Sequence, residues 1–167
     1  TDARIDLGGQ VLALGPGEDG APWEVALAHP RERERPVLTL AVSGVSVSTS
    51  GNSERGRTVS GVRIGHELDP RSGRPAPDFG STTVIAPTGF VADLLSTAFF
   101  VLGPERGLEA SEALRREGVS QEVLFLVDEG GARLHAIASP SFSHYVTRVD
   151  SGAVDGLATT TTRRDAR

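Results

Sequence analysis

Three stretches of this chain gather side chains that can do chemistry. The first is GHELDPRSGRP, Gly65 to Pro75, which sets His66 beside Glu67 and just ahead of Asp69, with Arg71 and Arg74 following. It shows no hydrophobic period, so it reads as a loop. Asp69 and Arg74 each precede a proline and are biased towards extended backbone, while Gly65 and Gly73 permit angles or close ligand approach that other residues resist. A histidine in a loop this stiff, set beside carboxylates, can take or give a proton near neutral pH. The bland alternative is a polar surface loop with a solvated imidazole.

The second stretch is STSGNSERG, Ser48 to Gly56. Hydroxyls, glycine and exposed backbone N–H groups in a turn can hold phosphate oxygens. Such turns are also common as plain structure. The third is FVADLLSTAFFVLG, Phe90 to Gly103, where Asp93 and Thr97 stand one above the other on a single helix face. A carboxylate in so apolar a helix needs a partner. Either Asp93 caps or pairs locally and Thr97 bonds back to a carbonyl, or the two offer hard oxygen donors to a cation such as Mg²⁺, completed by ligand phosphates.

The elements that must position these residues follow from period and punctuation. Arg4 to Leu14 alternates its apolar positions through a break at Gly8-Gly9, giving two short strand pieces. GPGEDG is turn chemistry, and Trp23 to Ala28 a strand, so the two are expected to pair as an antiparallel hairpin. His29 to Pro36 reads as a charged loop and Val37 to Val47 as one strand. Thr82 to Ala86 is a short strand closed by Pro87-Thr88-Gly89. The helix behind it is apolar nearly all round and is expected to be buried, with Gly103 at its end. Glu105 to Gly118 reads as an exposed amphipathic helix. Glu122 to Asp128 and Ala132 to Ala138 form a hairpin, with His135 an ordinary strand residue. The expected organisation is one α+β domain over 1–149 and a disordered tail over 150–167.

Composition bounds the rest. With 167 residues and 38% apolar content the chain can bury a real core. A net charge of -5 without a clustered basic face argues against a nucleic-acid partner. No apolar run approaches a transmembrane span, and no signal peptide is read. The chain has no Cys, so redox compartment is not legible. It also has no Lys, which removes Schiff-base and P-loop lysine chemistry. It has no Met either, so Thr1 is expected to be the end of a cleaved precursor or a simple boundary. A free N-terminal Thr can serve as its own base and nucleophile.

Taken in order, these motifs resemble the C-terminal part of the ApbE-type FAD:protein FMN transferases. IDLGGQVLALG is similar to that family's Gly-Gly strand, and VSVSTSGN to its Thr-Ser-Gly turn. GHELDPRSGRP resembles its His-x-x-Asp-Pro-x-x-Gly loop, and TTVIAPTGFVADLLSTAFFVLG its strand followed by the Ala-Asp-x-x-Ser-Thr-Ala helix. Together they cover roughly Ile5 to Ser141 in the family's order and at about its spacing.

The resemblance implies an ApbE-like α+β fold, mostly antiparallel, with FAD as substrate and Mg²⁺ as metal. Its members transfer FMN from FAD to a Thr or Ser hydroxyl of a flavoprotein, and AMP leaves. Carried over residue by residue, Asp93 and Thr97 match metal ligands and His66 a catalytic histidine. Gly8, Gly9, Thr49, Ser50 and Gly51 fall at the nucleotide together with His66, and Asp69 and Arg71 of the same loop are counted with them as cofactor-binding residues that also order it. The family's Asp-Leu-x-x-x-x-Lys-Gly segment has no counterpart here. The resemblance therefore implies a partner, either the N-terminal half of the same precursor or a second subunit. Ser53 stands where Tyr is usual and Gly65 where a polar residue is usual, and both bear on substrate identity. Two alternatives remain open: hydrolysis of FAD to FMN and AMP, and a diverged split relative with a binding or biosynthetic role. Asp155 to Thr159 is faintly similar to the acceptor sequence these transferases modify, and family members are often exported or membrane-anchored.

Overall fold

Most strands in this chain are short, and glycines stand at several of the places where the chain leaves one strand for the next. The computed structural model describes residues 2–52, 56–59 and 62–157. Thr1, Ser53 and Thr159 lie outside these. The first half holds β1 (Ala3–Asp6), β2 (Gln10–Leu14), β3 (Trp23–His29), β4 (Glu32–Val42), β5 (Val45–Gly51), β6 (Arg57–Val59) and β7 (Val62–Ile64). The histidine loop contributes β8 (Leu68–Asp69) and β9 (Arg74–Pro75), and β10 (Gly80–Ala86) follows. Then come α1 (Gly89–Leu102), α2 (Pro104–Arg116), β11 (Glu122–Val127), β12 (Leu134–Ala138), β13 (Val146–Val149) and β14 (Val154–Asp155).

A seven-stranded sheet runs β1-β2-β5-β10-β11-β12-β14, and a second sheet runs β13-β4-β3. Every pairing is antiparallel except β12 with β14. The fold is α+β. On β10 and β11 both faces are buried, and alternation sends them to different cores. Val84, Ala86, Val123 and Phe125 pack against the helices, while Ile85, Leu124 and Leu126 meet the second sheet. Side chains so fully buried contribute roughly 1.5–3 kcal/mol each. Helix α1 starts where Thr88 accepts a bond from Val91 N–H (3.3 Å) and ends at Gly103, whose φ of 80° releases the chain into α2. At Gly107, a Cβ would fall 2.7 Å from the Phe125 ring, so α2 can lie close on β11 only with glycine there.

Several expectations are corrected. β2 and β3 do not form a hairpin: β2 pairs with β1 and β5, and β3 with β4. Their apolar faces, Val11 and Ala13 against Val25 and Leu27, meet across the space between the sheets. The segment Val37 to Val47 is two strands in different sheets, with Gly44 (φ 67°) at the crossing. His29 to Pro36 is the tip of the β3–β4 hairpin rather than a free loop, because backbone pairing tolerates charge where the side chains face water. Ser48 to Gly51 is strand, not turn. Helix α1 is not buried all round: Phe90 is 78% exposed and Leu94 55%. The sheet covers only the side that carries Ala92, Leu95, Ser96, Phe99 and Phe100. The chain over 150–157 is not a loose tail, since Val154 and Asp155 pair with Leu134 and His135 and Ala153 is buried.

One ion cluster ties the two sheets. Arg31, at the tip of the β3–β4 hairpin, donates from Nη1 to Asp78 (2.7 Å) and from Nε to Asp128 (2.9 Å), the residues that flank β10 and β11. The Arg31 hydrogen bond holds the Asp128 carboxyl below its ordinary value of 3.8. A depressed carboxylate contributes stability that is present above the unfolded value and lost as pH falls through the folded one. Replacing Arg31 with Met is expected to cost about 2 kcal/mol at pH 7, as for lost charged hydrogen bonds. The gap between wild type and variant in urea denaturation should narrow as pH drops below 3.8.

Candidate functional site

The β5 sequence VSVSTSG turns Ser46, Ser48 and Ser50 to the helix side and Val47 and Thr49 to the other. Small hydroxyl residues leave room for α1, and their polar atoms must be paired because they are buried. Ser46 donates to Val11 carbonyl (2.9 Å). Ser48 Oγ donates to Asp93 Oδ1 (3.4 Å) and lies 3.4 Å from Ser96 Oγ. Ser96 Oγ donates to the Asp93 carbonyl (3.0 Å) and lies 3.0 Å from Ser50 Oγ, which in turn lies 3.1 Å from Thr97 Oγ1. The result is a hydroxyl seam that runs from Asp93 to Thr97 along the helix–strand contact. The Gln10 side chain adds a bond to the Gly89 carbonyl (2.7 Å) and pins the helix start to β2. Asp93 and Thr97 therefore share one flank of α1, as their spacing predicts, and the carboxylate is exposed rather than buried.

Beside this flank lies a cavity of about 510 Å³. Gly8 and Gly9 line it from the β1–β2 turn, where φ values of 67° and 95° make glycine necessary. Thr49, Ser50 and Gly51 line it from the end of β5, His66 from the loop after β7, and Asp93 and Thr97 from α1. The Gly9 carbonyl accepts from Thr49 N–H (2.9 Å), and Thr49 Oγ1 lies 2.9 Å from Thr83 Oγ1, which joins the first two of these segments to β10. His66 Nε2 stands 3.3 Å from Glu67 Oε1, and the Glu67 carbonyl accepts from Ala76 N–H (2.8 Å).

Asp69 and Arg71 stand apart from this group. They do not line the cavity; they order the loop. Asp69 accepts from Arg71 Nε (2.9 Å), Arg71 Nη2 (3.0 Å) and Arg71 N–H (2.9 Å) across the turn between β8 and β9. These bonds from Arg71 hold the half-buried Asp69 carboxyl below the usual range. The wall also includes residues that sequence reading missed: Arg4 and Asp6 from β1, Arg33 from β4, Glu67, and Ser81 at the start of β10. Ser96 was missed as well, although the period-two serines of β5 opposite a helix carrying Ser96 and Thr97 were a usable signal.

Asp93 and Thr97 offer a hard cation one carboxylate and one hydroxyl oxygen. Among the described residues, no group of three or more His, Cys, Asp or Glu gathers to form a closed metal cage. Such a donor pair suits a cation that keeps waters or takes ligand phosphates.

Residues 1–121 match the ApbE family. The chain is 34% identical over 144 residues to the FAD:protein FMN transferase of Escherichia coli K12, covering 85% of this chain and 39% of that protein. It is 37% identical over 144 residues to the FAD:protein FMN transferase of Treponema pallidum, covering 80% and 39%. The crystal structure of an ApbE protein from Thermotoga maritima superposes with a TM-score of 0.75 at 31% identity, over 88% of this chain and 45% of that one. The apo flavinyl transferase ApbE of Pseudomonas stutzeri gives 0.63 at 33%, over 85% and 42%. The chain thus spans less than half the length of these relatives.

The hydroxyl seam makes a direct prediction. Ser50→Ala and Ser96→Ala should each cost about 1 kcal/mol in urea denaturation, the ordinary net value of a buried hydrogen bond. The double variant should cost less than their sum, because both singles remove the same Ser50–Ser96 bond.

Proposed function

The chain belongs to the ApbE family, and from that premise we propose that it carries the histidine and metal side of a site that moves FMN from FAD to a protein hydroxyl. The observation behind the proposal is convergence. Gly8, Gly9, Thr49, Ser50, Gly51, His66, Asp93 and Thr97 come from segments far apart in sequence and line one cavity. The transferase names of the relatives above supply the reaction class.

The donor set fits Mg²⁺. Ser48 engages Asp93 Oδ1, and among the described residues no hydrogen bond engages Oδ2. Asp93 Oδ2 and the Thr97 hydroxyl would hold the ion, with water and ligand phosphate oxygens as its further donors. Bound there, Mg²⁺ would supply charge neutralisation on the pyrophosphate. The chain's own residues do the rest. The glycines at 8, 9 and 51 let the phosphate-bearing ligand approach backbone, and Thr49 offers a hydroxyl beside them. His66 Nε2 stands 3.3 Å from Glu67 Oε1, and an imidazole that carries its proton on Nε2, facing that carboxylate, leaves Nδ1 able to accept. His66 takes the proton from the acceptor's Thr or Ser hydroxyl. That oxygen forms a bond to the FMN phosphorus, the bond from phosphorus to the AMP oxygen breaks, and AMP leaves with the electron pair. The remainder of the flavin pocket comes from the part of the family domain this chain does not span, as the N-terminal half of the same precursor or as a second subunit.

The test combines binding with turnover. FAD binding, followed by quenching of flavin fluorescence, should strengthen with Mg²⁺ in the wild type and lose that dependence in Asp93→Asn. With a Thr-bearing flavoprotein acceptor, intact-mass spectrometry should show FMN on the acceptor and chromatography should show AMP. His66→Ala should lower turnover by about 100-fold, within the range for a general base. FMN and AMP without a labelled acceptor would assign hydrolysis instead, and a chain that ignores FAD would overturn the reading. Mass spectrometry of the native preparation shows whether a second chain travels with it.

A further inference from the structure

Gly65, the residue directly before His66, has no conformational reason to be glycine. Its φ is not positive, unlike those of Gly8, Gly9 and Gly73. The reason is space. A Cβ at position 65 would lie 2.2 Å from Asn52 Nδ2 and 2.3 Å from both Asn52 Cγ and Oδ1. The carboxamide of Asn52 therefore lies flat against the Gly65 backbone. Asn52 is 0% exposed, so its short side chain has no solvent to swing into. It follows Gly51, where a Cβ would itself meet the Gly80 carbonyl at 3.1 Å and Ser81 Cβ at 3.3 Å, so the end of β5 has no slack towards β10 either.

We propose that Asn52 and Gly65 form a size-matched contact that sets the position of His66 at the cavity wall, with Asn52 as the positioning residue. The histidine is then held from both sides. Before it, Gly65 seats on Asn52; after it, the Glu67 carbonyl is fixed by Ala76 N–H at 2.8 Å, and Ala76 is buried. Between these two anchors only His66 remains to be placed by its own rotamer. A methyl group at position 65 overpacks the contact, and because Asn52 is hemmed in, the displacement passes into the histidine. The contact spans the end of β5, which carries Thr49, Ser50 and Gly51, and the histidine loop, so it also sets the spacing between the two segments.

The experiment is a size swap read at the histidine itself. Imidazole carbon–proton cross-peaks of His29, His66, His135 and His144 are recorded for the whole chain, with His66 assigned by its loss in H66Q. Gly65→Ala should move the His66 cross-peak by more than its linewidth and leave the other three in place. Asn52→Gly combined with Gly65→Ala should return it, since the methyl then occupies the space the carboxamide left. An unmoved His66 signal in folded Gly65→Ala would overturn the proposal, as would a double variant that fails to restore it. If Gly65→Ala does not fold, Asn52→Gly alone decides: freeing the contact should shift or broaden His66 selectively, and an unchanged signal rejects the contact. Only a second arm rests on the function proposed above. Where FMN transfer is observed, Gly65→Ala should lower kcat by up to about 100-fold with little change in KM, as for a misplaced catalytic group. Cross-peaks that respond while no transfer occurs would keep the contact and reject the transferase reading.

Discussion

Helix α1 can lie close along β5 only because that strand turns serines, and not branched apolar side chains, towards it. The seam from Asp93 through Ser48, Ser96 and Ser50 to Thr97 is buried on the sheet side and ends at a cavity on the other. Buried hydroxyls must be paired, so the helix has little freedom to rotate or slide against the strand. Rotation of α1 that brought Leu95 to the place of Ser96 would take away the hydroxyl that both Ser48 and Ser50 meet. The same bonds that fasten the helix thus aim the two oxygen donors on its flank.

The remaining walls of the cavity depend on how the second sheet is seated. Its strands β3 and β4 pack apolar faces against the large sheet, and the Arg31 clamp on Asp78 and Asp128 holds the tip of their hairpin over the start of β10. From that hairpin Arg33 reaches the cavity, and from β1 so do Arg4 and Asp6. The site is therefore an edge feature of two sheets and one helix. Phe90, Leu94 and Leu7 stand well exposed, close in sequence to residues of its wall.

Much of this was legible in the residues. The hairpin of β11 and β12, the helix α2 and the boundaries of α1 followed from alternation, amphipathic period, Thr88 and Gly103, all of which act within a few residues. Gly8, Gly9, Thr49 to Gly51, His66, Asp93 and Thr97 were singled out by motif order, and the fold sets them along one cavity. What failed had a common cause. The partner of β3, the division of Val37 to Val47 and the pairing of Val154 depend on which sheet a strand joins, and a strand's own alternation is the same in either sheet.

The division between sequence and tertiary structure is sharpest in the histidine loop. Sequence alone determined that it would be stiff, that Asp69 and Arg74 would be extended, and that His66 would sit beside a carboxylate, because prolines and glycines restrict the backbone locally. It also determined that Asp93 and Thr97 would share a helix face, since helical geometry is set by residue spacing. Only the folded chain decided that Asp69 and Arg71 bond to each other instead of facing the cavity, that α1 exposes Phe90, and that Gly65 is a glycine for the sake of Asn52. Those outcomes depend on which atoms from distant segments compete for the same volume, and the close packing of the interior settles that competition.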